Sequence, residues 1–120
     1  MKYETFEDIP VWKMAKDFSS RIYSIVQKSF GNDYVMIRQL TRASLSIPLN
    51  IAEGFERASN KEFAHFINIA KGSAGEVRTI LYIAYDNNYL TNEEFINLKN
   101  QITEISKQLS AFRSYLIRTN

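Results

Sequence analysis

In the last quarter of the chain, Phe95, Leu98, Ile102, Ile105, Leu109, Phe112 and Leu116 follow one another at steps of three and four. Only a helix turns that spacing into one continuous stripe. A stripe so long has to be covered, so it predicts a helix packed on other helices along a coiled-coil-like seam. The same arithmetic applies to three earlier segments.

The first runs from Ile9 to Ser29, with Val11, Ala15, Phe18, Ile22 and Ile25 in line and Trp12 and Val26 beside them. Pro10 suits a first helical turn, where a missing N–H costs nothing. Gly31 and Asn32 end this segment, and Asp33 can cap the next. The second runs from Tyr34 to Arg57 on a core line of Met36, Leu40, Ala43, Ile47 and Ile51. Pro48 lies inside it, lacking a donor for the carbonyl of Ser44 and crowding it, so a kink is predicted there. The third starts after Ser59, where Ser59 and Glu62 match a capping box, and runs to Asp86. A second capping box, Thr91 with Glu94, opens the fourth. No strand signal, low-complexity tract or linker interrupts them. The prediction is all-α: an antiparallel up-down four-helix bundle over residues 1–120, one domain, with helix two kinked at Pro48.

A hydrophobic content of 45% supports a core without staples, and the absence of cysteine excludes disulfides and thiolate metal sites. This fits a cytoplasmic protein. No apolar run approaches the roughly 18 residues of a membrane span. Met1 to Asp8 is acidic where a signal peptide would be apolar. Net charge is only +2 in 120 residues, so a nucleic-acid surface would have to arise from local arrangement.

Helix two carries a polar line beside its core line: Gln39, Arg42, Ser46, Asn50, Glu53 and Arg57. An antiparallel partner in helix three, with residue numbers summing to about 118, would set Arg42 against Glu76, Ser46 near Ser73, Asn50 near Asn68 and Ile69, and Glu53 near His65. An Arg42–Glu76 ion pair and a Glu53–His65 hydrogen bond are therefore expected. Such a seam fixes register. Gly72 and Gly75 in mid-helix point to close approach of another backbone, either helix two or a neighbouring subunit. Leu45, Leu49 and Ala52 on helix two and Ile69, Ile80 and Ile83 on helix three lie off the core lines. A lined-up apolar patch of this kind predicts a homo-oligomer.

Chemistry is sparsely provided for. Glu62 and His65 have the Glu-x-x-His spacing of di-iron bundles, but a single histidine cannot supply the second motif. No metal or cofactor is expected. No nucleophile or oxyanion site accompanies His65, so no catalytic residue is assigned and the chain reads as a non-enzyme. Lys71-Gly72-Ser73 lacks the preceding strand and the upstream glycine of a phosphate loop. Lys71, Arg78, Tyr82 and Tyr89, with Tyr85 at the border, share an arc of helix three and are the RNA-binding candidates. The alternative is a solvated rim of cations and snorkelling tyrosines. Arg113 and Arg118 near the end of helix four suit the helix dipole.

The run Gln39-x-x-Arg42-Ala43-x-x-Ser46-Ile47-x-x-Asn50-Ile51-Ala52-Glu53-Gly54 resembles the signature of the 23S rRNA intervening-sequence proteins, also called the S23 ribosomal protein family. Val11-Trp12-x-x-Ala15, Arg57-x-Ser59-x-x-Glu62-Phe63 and Ile69-Ala70-x-Gly72-Ser73-x-x-Glu76 add to the likeness. Gly31-Asn32-Asp33 departs from the family's longer, acidic, proline-bearing connection. The chain is also similar, more distantly, to the accessory variability protein of diversity-generating retroelements. The resemblance implies a small cytoplasmic bundle that assembles into a ring, a pentamer. It implies no activity and no catalytic residue. The reading drawn from residues and resemblance together is an oligomeric bundle that binds structured RNA or serves a nucleic-acid enzyme as accessory factor. The alternative is a protein–protein scaffold without nucleic-acid contact.

Overall fold

The architecture follows the apolar spacing. A computed structural model describes residues 3–119; Met1, Lys2 and Asn120 lie outside the described residues, and with them the very start of the acidic N-terminus. After a short 3-10 turn (Phe6–Asp8) come α1 (Pro10–Ser29), α2 (Tyr34–Phe55), α3 (Asn60–Asp86) and α4 (Asn92–Arg118). α2 ends two residues before the expected Arg57, because the N–H groups of Glu56 and Arg57 turn back onto Ala52 and Gly54. No helix among the described residues is long and apolar enough to cross a membrane.

Helix ends are set by short polar side chains. Asp33 accepts from the Met36 N–H at 3.1 Å and opens α2. Thr91 and Glu94 form the full reciprocal box of α4, at 3.1 and 2.9 Å. At α3 Ser59 accepts from the Glu62 N–H at 3.2 Å, while the return bond from Glu62 is not made. The chain reverses through Gly31 and Asn88, both at positive φ, a conformation that glycine and asparagine tolerate.

Consecutive helices run antiparallel, as their contacts show. Ser19 meets Ser44, Ser46 meets Ser73, Tyr85 meets Asn92, and Arg21 of α1 reaches Asn97 and Gln101 of α4. One contiguous core joins the four stripes, from Ile22 and Leu40 through Ile67 and Leu81 to Leu98 and Leu109. The seam of α4 is buried throughout except at Phe112, which is half-buried against Phe63 and Tyr115.

Two local solutions hold α2 in place. Pro48 is buried and α2 continues through it. Proline cannot donate to the carbonyl of Ser44, four residues back. The hydroxyl of Ser19 on α1 donates to that carbonyl instead, at 2.8 Å and in the core. Gly54 answers a different demand. A Cβ there would lie 2.6 Å from Cδ1 of Phe63 and 2.8 Å from Cβ of Phe66, so α3 crosses α2 where only hydrogen fits.

Two stability outcomes follow. Ser19→Ala leaves the Ser44 carbonyl buried without a donor and should cost about 1–3 kcal/mol. Pro48→Ala restores a backbone donor, so the double variant should lose less in urea melts than the sum of the two single variants. Gly54→Ala should destabilise by about 1–3 kcal/mol through overpacking against Phe63, read in the same melts.

Candidate nucleic-acid interface

The α3–α4 face gathers cations and aromatic rings. Tyr82 is exposed and meets Phe95 edge-on at 5.0 Å, and Tyr85 stacks on the same ring at 4.6 Å, its hydroxyl donating to Asn92. The ammonium of Lys99 lies 5.8 Å from the Tyr82 ring and 5.7 Å from Phe95, within cation–π range. Lys99 was not singled out by sequence reasoning. Its signal is its place, one turn after Phe95 on the flank of the α4 seam.

At the other end of α3, Ala64 lines a hollow with Arg113 of α4. Two turns on from Ala64 is Lys71, and two further turns reach Arg78, next to Tyr82 by one turn. Lys71 and Arg78 are both exposed on that strip. The ion pairs among the described residues are Lys16–Asp17 and Arg57–Glu53, so no carboxylate neutralises Lys71, Arg78, Lys99 or Arg113. The acids of α3 and α4 make no ion pair with these cations. Glu76 lines the α2–α3 hollow and Glu104 the α1–α4 groove, Glu62 is in the first turn of α3, and Asp86, Glu93 and Glu94 cluster near the α3–α4 turn. A chain of nearly balanced charge thus presents one strip that is locally basic.

Tyr89 does not belong to this strip. α3 ends at Asp86, which puts Tyr89 in the following turn, half-buried, its ring 5.1 Å from that of Phe30. Its hydroxyl donates to Oδ2 of Asp33 at 2.7 Å. The stop at Asn87 and Asn88 removes it from the helical arc that the sequence suggests. The clasp ties the α1–α2 turn to the α3–α4 turn. The Tyr89 hydrogen bond, then that from the Met36 N–H, holds the Asp33 carboxyl below its ordinary range; Asp33 in turn raises the Tyr89 phenol.

The predicted polar seam is divided. Ser73 donates to the Ser46 hydroxyl at 2.8 Å, and the Asn50 amide donates to the hydroxyl and carbonyl of Ser46. Around this pair, Arg42 bonds Gln39 within its own helix, and Glu53 pairs with Arg57 at 2.6 Å. Neither the Arg42–Glu76 ion pair nor the Glu53–His65 bond forms. Each has a nearer partner one turn away or an exposed position that water solvates. Arg42 and Glu76 do line one hollow of about 450 Å³ with Gln39, Gly75 and Thr79. His65 lies on the α4 side, its ring against Phe66. Among the described residues no three His, Cys, Asp or Glu side chains converge as a metal cage would need.

Gly72 and Gly75 stand in contrast to Gly54, since a Cβ on either meets nothing within 4 Å. Close approach of α2 therefore does not account for them. Of the off-core apolar residues, Leu49 is 63% exposed, Ile69 41% and Ile83 45%, while Leu45, Ala52 and Ile80 are half-buried.

The Tyr89–Asp33 clasp carries a pH signature. The depressed carboxyl contributes stability above its ordinary value of about 3.9, lost as pH falls through the lower folded value. The raised phenol contributes below its ordinary value of about 10, lost as pH rises through the higher folded value. The melting-temperature gap between wild type and Tyr89→Phe should therefore be widest between these limits and narrow on both sides, in a thermal-melt series across pH.

No curated protein matches the chain. A crystal structure of a protein with unknown function from the S23 ribosomal protein family of Bacteroides thetaiotaomicron is similar to it, with 29% identity and a TM-score of 0.80 over 86% of this chain and 97% of that one. Residues 7–111 match the family described as 23S rRNA-intervening sequence protein, across all of α1, α2 and α3 and most of α4. The chain belongs to the 23S rRNA-intervening sequence protein family.

Proposed function

We propose that the protein is a non-enzymatic, RNA-binding bundle that works as a homo-oligomer. The observation that carries this reading is the strip of Lys71, Arg78, Tyr82 and Lys99, basic and without carboxylate partners on a chain of small net charge. Cations engage phosphates, and an exposed ring beside them offers a stacking surface. The family description associates such proteins with the 23S rRNA intervening sequence, which makes a structured rRNA fragment the RNA to test.

Self-association rests on the other observations. Leu49, Ile69 and Ile83 are exposed in one copy, and Gly72 and Gly75 have open space where a side chain would sit. Mid-helix glycine costs about 1 kcal/mol relative to alanine, and no contact within the chain compensates it. A neighbouring subunit against this part of α3 supplies a reason. The resemblance to ring-forming relatives favours a pentamer, in which the basic strip is repeated and its field summed. A scaffold without nucleic acid is the second reading, supported by the same apolar residues.

Two measurements test these parts separately. In fluorescence anisotropy with a structured rRNA fragment over a salt series, Lys71→Ala/Arg78→Ala should weaken binding and lower the salt slope by about 2, one for each phosphate no longer neutralised. An unchanged slope would favour the scaffold. Leu49→Glu should shift the mass seen in light scattering toward the monomer with helicity intact; an unchanged mass would remove this face from the assembly.

A further inference from the structure

The hollow between the start of α3 and the end of α4 holds about 280 Å³ and is lined by Lys61, Ala64, His65, Asn68, Arg113 and Ile117. Each of its polar side chains can donate a hydrogen bond, and no carboxylate lines it. Lys61 and Arg113 bring an ammonium and a guanidinium to it. The Asn68 amide has two N–H groups, and an imidazole has at least one in either tautomer. None of these side chains forms an ion pair among the described residues.

Arg113 adds an independent observation. Its Nε is buried and has no acceptor within the protein. The enclosed Nε does not reach the hollow, but the rest of this half-buried side chain makes no hydrogen bond or ion pair among the described residues either, which leaves its terminal N–H groups for an acceptor there. The helix dipole explains a cation near the end of α4, but not its place on a hollow shared with a lysine, a histidine and an amide. Three donor-bearing side chains from α3 meeting a guanidinium from α4 have the chemistry of an oxyanion cradle. Guanidinium groups match tetrahedral oxyanions through paired N–H bonds.

We propose that this hollow is a phosphate-binding site, with Arg113 and Lys61 supplying charge and His65 and Asn68 supplying directed hydrogen bonds. It rests on the RNA reading for the source of the phosphate, a backbone phosphodiester of bound RNA. Free phosphate has the same chemistry and would occupy the same cradle. The site lies on the α3–α4 face with Lys71 and Arg78, extending the basic strip toward the α2–α3 turn.

The test uses the full chain and two probes. His65 is the single histidine, so its ring resonances report the hollow without assignment ambiguity. Pyrophosphate titrated into the protein should move them saturably. Arg113→Met should abolish the response, and Lys61→Gln, at an exposed position, should weaken it several-fold while circular dichroism stays unchanged. In parallel, Lys61→Gln should weaken structured-RNA binding about threefold to tenfold and lower the salt slope by about 1. A saturable His65 response with RNA affinity untouched by either variant would make this a free-phosphate site and overturn the backbone assignment. RNA binding that persists in both variants with no His65 response to pyrophosphate would overturn the site and leave the RNA reading standing. A His65 response in a protein that binds no RNA would keep the site and overturn the RNA reading.

Discussion

Everything on the surface of this bundle is referred to the close crossing of α2 and α3. At Gly54 the two backbones approach until only a hydrogen fits against Phe63. One helical stretch away the Ser46 and Ser73 hydroxyls meet. These two points, one steric and one directional, admit one register. A slip of one turn would drive a side chain into Phe63 and leave a largely buried hydroxyl without its partner. With the register fixed, Arg42 and Glu76 rim a common hollow, and the arc of Lys71, Arg78 and Tyr82 turns toward α4. The α4 seam then completes the core and brings Lys99 and Arg113 to that arc.

Polar side chains in the seam act at two levels. The serines contribute direction more than energy, since a net hydrogen bond is worth about 1 kcal/mol. The charged members, Arg42, Glu53 and Arg57, stay at the rim and satisfy each other or their own helix. This division is what desolvation dictates. A buried ion pair between α2 and α3 would need compensating donors and acceptors that two apolar stripes do not supply.

Most of the fold was legible in the sequence because it is written in periods. The stripe from Phe95 to Leu116, the caps at Asp33 and Thr91, and the stops at Gly31 and Asn88 each rest on a local rule. The pairing of Ser46 with Ser73 also followed, because antiparallel register is arithmetic. Side-chain partner choice was not legible in this way. Glu53 takes Arg57 on its own helix in place of His65, and Arg42 takes Gln39, since long charged side chains select among several reachable partners. Tyr89 was misplaced because the arc of α3 was carried three residues past Asp86, the helix end that the sequence itself marks. Lys99 was passed over, and Arg113 read only as a partner of the helix dipole, for another reason. Their neighbours on α3 are distant in sequence and come together only when α4 docks.

The bond from Ser19 to the Ser44 carbonyl has a consequence for how relatives of this chain can vary. Pro48 creates a buried acceptor without a donor, and Ser19, on a different helix, is the donor. The two positions form a single unit of substitution. Where a proline occupies the place of Pro48, a hydroxyl-bearing residue is expected at the place of Ser19. Where the proline is replaced, the backbone closes its own bond and the α1 position is released to become alanine. Sequence covariation between these distant places would record a hydrogen-bonding requirement rather than a packing contact.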